Sequence, residues 1–227
     1  MNYDDYLEYI IQVPPIYEAE DRCFPIFYEF MYSFQALDRY WTFNRSNIEI
    51  LTTNFKRPDF DEDPEGNAGF EEFEGVDEER FIEYLRLSVV TLSLSLLEHL
   101  LSNLTQEIAV DLKVELNLSD KRMPFINKYI LWLTQNCGLQ VSIESEIWKK
   151  MDAIREVRNR FIHKINRDLP DEIKSILAKF EGIQSNEKLN VTDGFVNESL
   201  INISTLVKNI ERAYIIFYDQ KSDGVRS

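Results

Sequence analysis

The sequence predicts an all-α protein: an antiparallel bundle of four to five helices carrying an N-terminal helical or extended embellishment. Gly and Pro are scarce, at seven each in 227 residues, while Leu, Ile, Glu, Asn and Lys are plentiful. Apolar residues recur with a helical period over stretches far longer than a strand. The length suffices for one sizeable core, and no stretch reads as a linker between two. Residues 1–76 are therefore expected as an extension packed on the core, with an acidic loop over 57–80, and residues 77–227 as the bundle, in one folded unit.

Pro25 to Asn44 (PIFYEFMYSFQALDRYWTFN) has apolar and aromatic residues on more than one face and Pro at its first turn. This predicts a helix buried on several sides, its rings packed in the core. Ser46 to Phe55 is β-prone and predicts a short strand or an extended linker. From Arg57 to Arg80, eleven Asp and Glu with several Gly and Pro predict a solvated, mobile loop. Within it Asp59, Asp61 and Asp63 resemble the start of a calcium loop, but Pro64 and Phe70 stand where the tight-turn Gly and the bidentate Glu are required.

Asp77 is placed to cap a long helix reaching about Lys113, with Glu78 and Glu79 favourable in its first turn. Ser119 and Asp120 cap the next segment, which Asn136 and Gly138 end. Ser142 to Ile165 forms a third helix, and Pro170-Asp171-Glu172 starts a short fourth reaching Phe180. After a polar, β-like stretch from Lys188 to Phe195, Asn197 caps a last amphipathic helix over about Glu198 to Asp219.

The N-terminus Met1-Asn2-Tyr3-Asp4-Asp5 lacks the features of a signal peptide, and no uninterrupted apolar run has membrane-spanning length. The expectation is a cytoplasmic protein without a membrane partner. Cys23 and Cys137 have no CxxC or Cys/His spacing, so neither a disulfide frame, a metal site nor a cofactor is expected.

A net charge of −15 argues against indiscriminate binding to nucleic acid. The charge is uneven, however. Between Lys149 and Arg167, seven Lys and Arg stand against Asp152 and Glu156, a local charge of +5 that would steer a phosphate ligand to one segment.

That segment contains Arg158-Asn159-Arg160-Phe161-Ile162-His163. On a helix, Asn159 and His163 lie about 40° apart, while Arg158 is about 140° round from His163. Ile147, Trp148, Met151, Ile154, Val157, Phe161 and Ile165 form the apolar stripe, leaving the three polar residues largely outside it, at an edge or interface. Metal-free RNA cleavage needs a base for the 2′-hydroxyl, a cation for the crowded phosphate and an acid for the 5′-oxygen. Histidine serves as acid or base, and guanidinium as the cation. The same residues would also serve a helix end or a dimer contact. The second histidine, His99, sits beside Glu98 in a Leu-rich helix and is expected to be structural. Glu98 is placed to pair Arg158 or Arg155 if its helix packs on the motif helix.

Trp148, Met151, Arg155, Arg158-Asn159, Phe161 and His163 together resemble the R-x4–6-H motif of the HEPN superfamily (higher eukaryotes and prokaryotes nucleotide-binding domain), as found in toxin-like and defence-associated members. The helix order over about residues 77 to 219, including Leu96 to Leu101 and Leu118 to Lys121, is similar as well. The resemblance implies a homodimer whose two motif helices build one cleft, and metal-independent cleavage of RNA to a 2′,3′-cyclic phosphate and a 5′-hydroxyl. It implies that Arg158 binds the phosphate, His163 handles protons or phosphate, and Asn159 orients the site. Arg155, Arg160 and Lys164 are then candidate substrate-backbone contacts. A toxin or anti-phage effector of this kind needs restraint, from an antitoxin or regulatory partner, or from the acidic segment Asp59 to Glu79 lying over the basic helix. The alternatives are a catalytically inactive dimerisation or interaction module and a nucleotide-binding regulator.

Overall fold

The computed structural model describes residues 15–20, 24–54, 64–118, 123–139, 141, 145–163, 171–180 and 191–224, with side chains described for all of these except 48–54, 64–80, 145, 161–163 and 222–224. Among the described residues there are six helices and no strand: α1 (Pro25–Asn54), α2 (Pro64–Leu112), α3 (Phe125–Cys137), α4 (Ser145–His163), α5 (Asp171–Leu177) and α6 (Asp193–Gly224). The protein is an all-α bundle, as its composition and periodicity predict.

The boundaries differ from expectation in three places, each for a recognisable reason. Instead of entering a strand or linker, α1 continues to Asn54. Extending an existing helix costs each β-branched residue only a few tenths of a kcal/mol, far less than nucleating a new element. The acidic stretch is helical from Pro64 onward, so Asp77 lies inside α2 and does not cap it. Proline is favoured at a first helical position, and Glu is a good helix former that suits the positive end of the macrodipole. The calcium-like residues Asp59, Asp61 and Asp63 and the caps Ser119 and Asp120 lie outside the described residues. Finally, α6 begins at Asp193, ahead of the expected cap Asn197. Thr192 Oγ1 accepts from Phe195 N–H at 3.3 Å, which makes Thr192 the cap. Asn197 instead accepts from Trp41 Nε1 at 2.8 Å, tying α6 to α1.

The expected stop at Gly138 holds. Gly138 adopts φ 68°, and its own N–H and that of Leu139, the latter at 3.1 Å, both return to Leu133 C=O, closing the helix through a left-handed glycine.

The bundle is organised around α2 and α6, which run parallel at a constant sequence offset. Arg86 meets Asp193, Glu107 meets Tyr214 and Asp111 meets Tyr218, each pair 107 residues apart. Leu94, Leu97, Leu101, Leu104 and Ile108 of α2 are fully buried, as are Phe195, Ile203, Leu206, Val207 and Ile210 of α6. Phe81–Leu112 is the one described segment long and apolar enough to cross a membrane by length and composition. Half of its most apolar window is buried inside the bundle, against α1, α3, α4 and α6.

Across this pair α1 runs antiparallel to α6: Phe24 packs on Tyr214 at its start, Trp41 bonds Asn197 further along, and Arg45 pairs Asp193 at 2.9 Å near the other end. Residues 15–20 form a strap between α1 and α6. Tyr17, fully buried, donates its hydroxyl to Glu211 Oε2 at 2.8 Å, and Glu20 N–H donates to Glu211 Oε1 at 3.1 Å. Ser204 Oγ donates to Ile16 C=O at 2.7 Å, and Gln35 Nε2 to Tyr17 C=O at 3.2 Å. On the other side of the central pair, α4 packs against α2, α5 and α6.

The aromatics of α1 divide. Phe27, Phe30, Phe34 and Trp41 are buried as expected, but Tyr28, Tyr32, Tyr40 and Phe43 remain on the surface. The multi-faced pattern that predicts burial on several sides therefore holds one face that nothing described here covers.

Candidate active site

The motif helix α4 owes its placement to Met151, Ala153, Ile154 and Val157, which are buried, and to Ile147 and Trp148, which pack at the core's edge. Phe161 is helical in backbone, its side chain lying outside the described residues, as does Ile165 altogether. This stripe sets the sector of α4 on which each polar residue lies.

Arg158 stands on the core side of α4, only 16% exposed at its side chain. Its Nη2 donates to Glu98 Oε1 of α2 at 3.2 Å, so the cross-helix pairing that the sequence leaves open is made with Arg158. Its Nε is buried with no hydrogen-bond partner among the described residues. A guanidinium presents five N–H donors, and here one carboxylate oxygen engages one edge of the fork. The expectation that Arg158 lies outside the apolar stripe is thereby corrected. At about 100° per residue it shares the sector of Met151 and Ile154, and only its charged tip reaches a polar partner.

Asn159 is half-buried, on the sector of α4 that faces away from the core. His163 is the last described residue of α4, with only its backbone described. Helix geometry keeps Arg158 and His163 about 140° apart on the same helix. The fold thus brings Asn159 and His163 to one sector and Arg158 to another.

The candidate substrate contacts fare differently. Arg155 is held within its own helix, by Asp152 at 3.0 Å and Glu156 at 3.2 Å. Arg160 is half-buried on α4 and already engaged in an interaction. Lys164 lies outside the described residues. Lys150 reaches Glu198 of α6 at 2.5 Å, with its ammonium 5.5 Å from the centre of the Phe180 ring. Two carboxylates of neighbouring helices, Glu98 of α2 and Glu198 of α6, therefore offset part of the local positive charge, which counting along the chain does not reveal.

His99 is exposed, its Nε2 3.0 Å from Asn103 Nδ2 one turn on. It faces solvent and not the core that its Leu-rich surroundings suggest. Among the described residues no group of three or more His, Cys, Asp or Glu is arranged to hold a metal ion. Cys137 is a free thiol, and burial pushes its pKa up to about 11. Cys23 lies outside the described residues.

No protein-family model, curated protein or solved structure matches the chain.

Proposed function

We propose that the protein is a HEPN-type endoribonuclease that cleaves RNA without a metal, through Arg158, His163 and Asn159 of two α4 helices brought together in a homodimer. A role as a toxin or anti-phage effector, held in check by a partner, follows from that activity. The observation that carries the reading is the Arg158–Glu98 pair at 3.2 Å. A cation fixed between two helices, with donor groups left over, is the preorganised charge that a phosphorane-like transition state requires. The separation of Arg158 from His163 around one helix supports a site assembled from two subunits, because a second α4 can bring its histidine to the arginine that its own helix turns away.

In this scheme Arg158 stabilises charge on the non-bridging phosphate oxygens. One His163 takes the 2′-hydroxyl proton as that oxygen attacks phosphorus. The other protonates the departing 5′-oxygen, and the products are a 2′,3′-cyclic phosphate and a 5′-hydroxyl. The test is incubation of the purified protein and its Arg158→Ala and His163→Ala variants with total RNA in EDTA, followed by analysis of fragment ends. Loss of cleavage in both variants, with cyclic-phosphate ends from the wild type, supports the site; wild-type inactivity or unimpaired variants refute it.

One observation favours a second reading, an inactive dimerisation module. Glu98, Asp152 and Glu156 neutralise cations that a nuclease would turn toward RNA. In that case the wild type neither binds nor cleaves RNA, yet still self-associates through α4.

A further inference from the structure

The outward face of α1 is the largest feature that the ribonuclease reading leaves unused. Tyr28 is 42% exposed, Tyr32 64% and Tyr40 46%, with Glu29, Ala36 and Arg39 exposed between them. Tyr28 and Tyr32 stack on each other with centroids 6.3 Å apart, which orders two rings whose faces remain toward solvent. These six residues recur at helical spacing and form one continuous stripe on the side of α1 turned away from α2 and the core. Scattered surface apolar residues need no explanation, but an aligned row of aromatic rings on a single helix marks a contact surface.

The stripe is complementary to itself. At about 100° per residue, Tyr28, Tyr32 and Arg39 fall on one flank of its midline, and Glu29, Ala36 and Tyr40 on the other. In an antiparallel pair related by a two-fold axis, residues on the same flank face each other across the axis. With that axis level with Phe34, Tyr28 lies within about one residue's rise, ~1.5 Å, of the level of Arg39 of the second copy on one flank, which puts a guanidinium within reach of an aromatic ring. On the other flank Glu29 lies within the same one-residue offset of Tyr40 of the second copy, a carboxylate within reach of a phenolic donor. Near the midline the bulky Tyr32 meets the small Ala36, a knob and its hole. One register makes the Tyr32–Ala36 pair level and brings the other two to within about one residue's rise of level, and each pairing occurs twice. Glu29 has no ion pair among the described residues, and the one charge effect of Arg39 is on its neighbour Asp38, so both are available to it.

We infer that α1 is a homotypic interface, through which a second copy of this chain docks antiparallel along the Tyr28–Tyr40 stripe. The inference is independent of the ribonuclease reading, which pairs α4, a helix on the other side of the α2/α6 layer. If both interfaces operate, each subunit has two distinct partners and the assembly grows beyond a dimer. A single helix pair buries less than the roughly 800 Å² per partner of a standard interface, so the association is reversible and concentration-dependent.

The experiment is sedimentation equilibrium of the full chain over a wide concentration range, with Tyr32→Glu and Arg39→Glu alongside. Both sites are exposed, so the variants should keep the wild-type thermal midpoint. Each should leave only monomer where α1 alone pairs, and no species larger than a dimer where α4 pairs as well. Register is read by mixing Tyr32→Cys with Ala36→Cys protein, both lacking Cys23 and Cys137. The mixture should oxidise to a covalent dimer faster than either protein alone. Equal masses for wild type and both variants overturn the inference. So does a cross-link no faster in the mixture, or Tyr32→Glu lowering RNA retention while leaving mass unchanged, which would make the stripe a base-stacking platform.

Discussion

Glu98 and Glu211 each tie the central α2/α6 pair to an element distant in sequence, α4 in one case and the strap in the other, and they do so by different physics. Glu211 is fully buried and is met by neutral donors, the Tyr17 hydroxyl and the Glu20 amide. Glu98 keeps 27% of its side-chain surface and is met by a cation, Arg158. Burial pushes the Glu211 carboxyl above its ordinary value despite both hydrogen bonds. A carboxylate answered by neutral donors is a structural tie. One answered by a guanidinium at the rim of the core holds a charge in place, and a phosphate can compete for that charge. The contrast separates the part of the molecule built for stability from the part with chemistry to spare.

The largest effect expected is on catalysis. Arg158→Ala should lower RNA cleavage by about 10²–10³-fold, the cost of removing one preorganised transition-state donor. Equal cleavage by the variant would move Glu98 into the same structural class as Glu211 and erase the contrast.

Next comes Glu211→Ala, which leaves Tyr17 and the strap without their acceptor inside the core. The loss should be about 2–4 kcal/mol, combining buried unsatisfied donors with a cavity. For a chain of this length that is a fall of roughly 4–16 °C in melting temperature. Cleavage measured well below the new midpoint should be unchanged. A fall in cleavage at that temperature would mean that the strap supports α4 through α6.

Glu98→Gln separates the two roles more finely. It keeps the shape and an acceptor for Arg158 but removes the charge, so stability should change by less than about 1 kcal/mol, as expected for a partly exposed pair. If Glu98 is a positioning residue for Arg158, kcat should fall by about tenfold with KM little altered, which is about 1.4 kcal/mol of transition-state stabilisation. A higher kcat with tighter RNA binding would instead mean that Glu98 competes with substrate for the arginine.

The two sides of the molecule were unequally legible in the sequence. Helical class, the α4 stripe and the Gly138 stop follow from local rules: period, capping and the one residue type that tolerates a left-handed turn. The Thr192 cap follows the same rules, but Asn197 obeys them equally well, and only Trp41, 156 residues away in sequence, decides between them. The strap was not legible at all. Nothing in the spacing of Tyr17 and Glu211 signals a bond between residues 194 apart. Glu98 falls between these cases. Its pairing with Arg158 required α2 to pack on α4, which depends on side-chain fit across a bundle. Likewise the Tyr28, Tyr32 and Tyr40 stripe reads as core from periodicity alone, because a helix with apolar residues on several faces does not say which face stays uncovered.

The smallest and most specific effect is the pH dependence carried by Glu211. A carboxyl whose folded pKa is raised binds its proton more tightly in the folded chain than in the unfolded one, so protonation favours folding. Its contribution is therefore fully present below the ordinary value of 4.5 and is lost as pH rises through the raised folded value. The groups facing it work in both directions: burial is the main cause of the rise, Glu20 on the strap adds to it, and the hydrogen bonds from Tyr17 and Glu20 together with Lys208 on α6 oppose it. Arg212 spends its charge on Glu20 at 3.5 Å, which limits that repulsion. Glu211→Gln cannot ionise, so the melting temperature of the variant minus that of the wild type should grow as pH is raised from 4.5 toward neutrality. The other carboxylates titrate alike in both proteins and cancel in the difference. A pH-independent difference would mean that the carboxylate is as well solvated in the fold as outside it. Burial would then no longer distinguish Glu211 from Glu98.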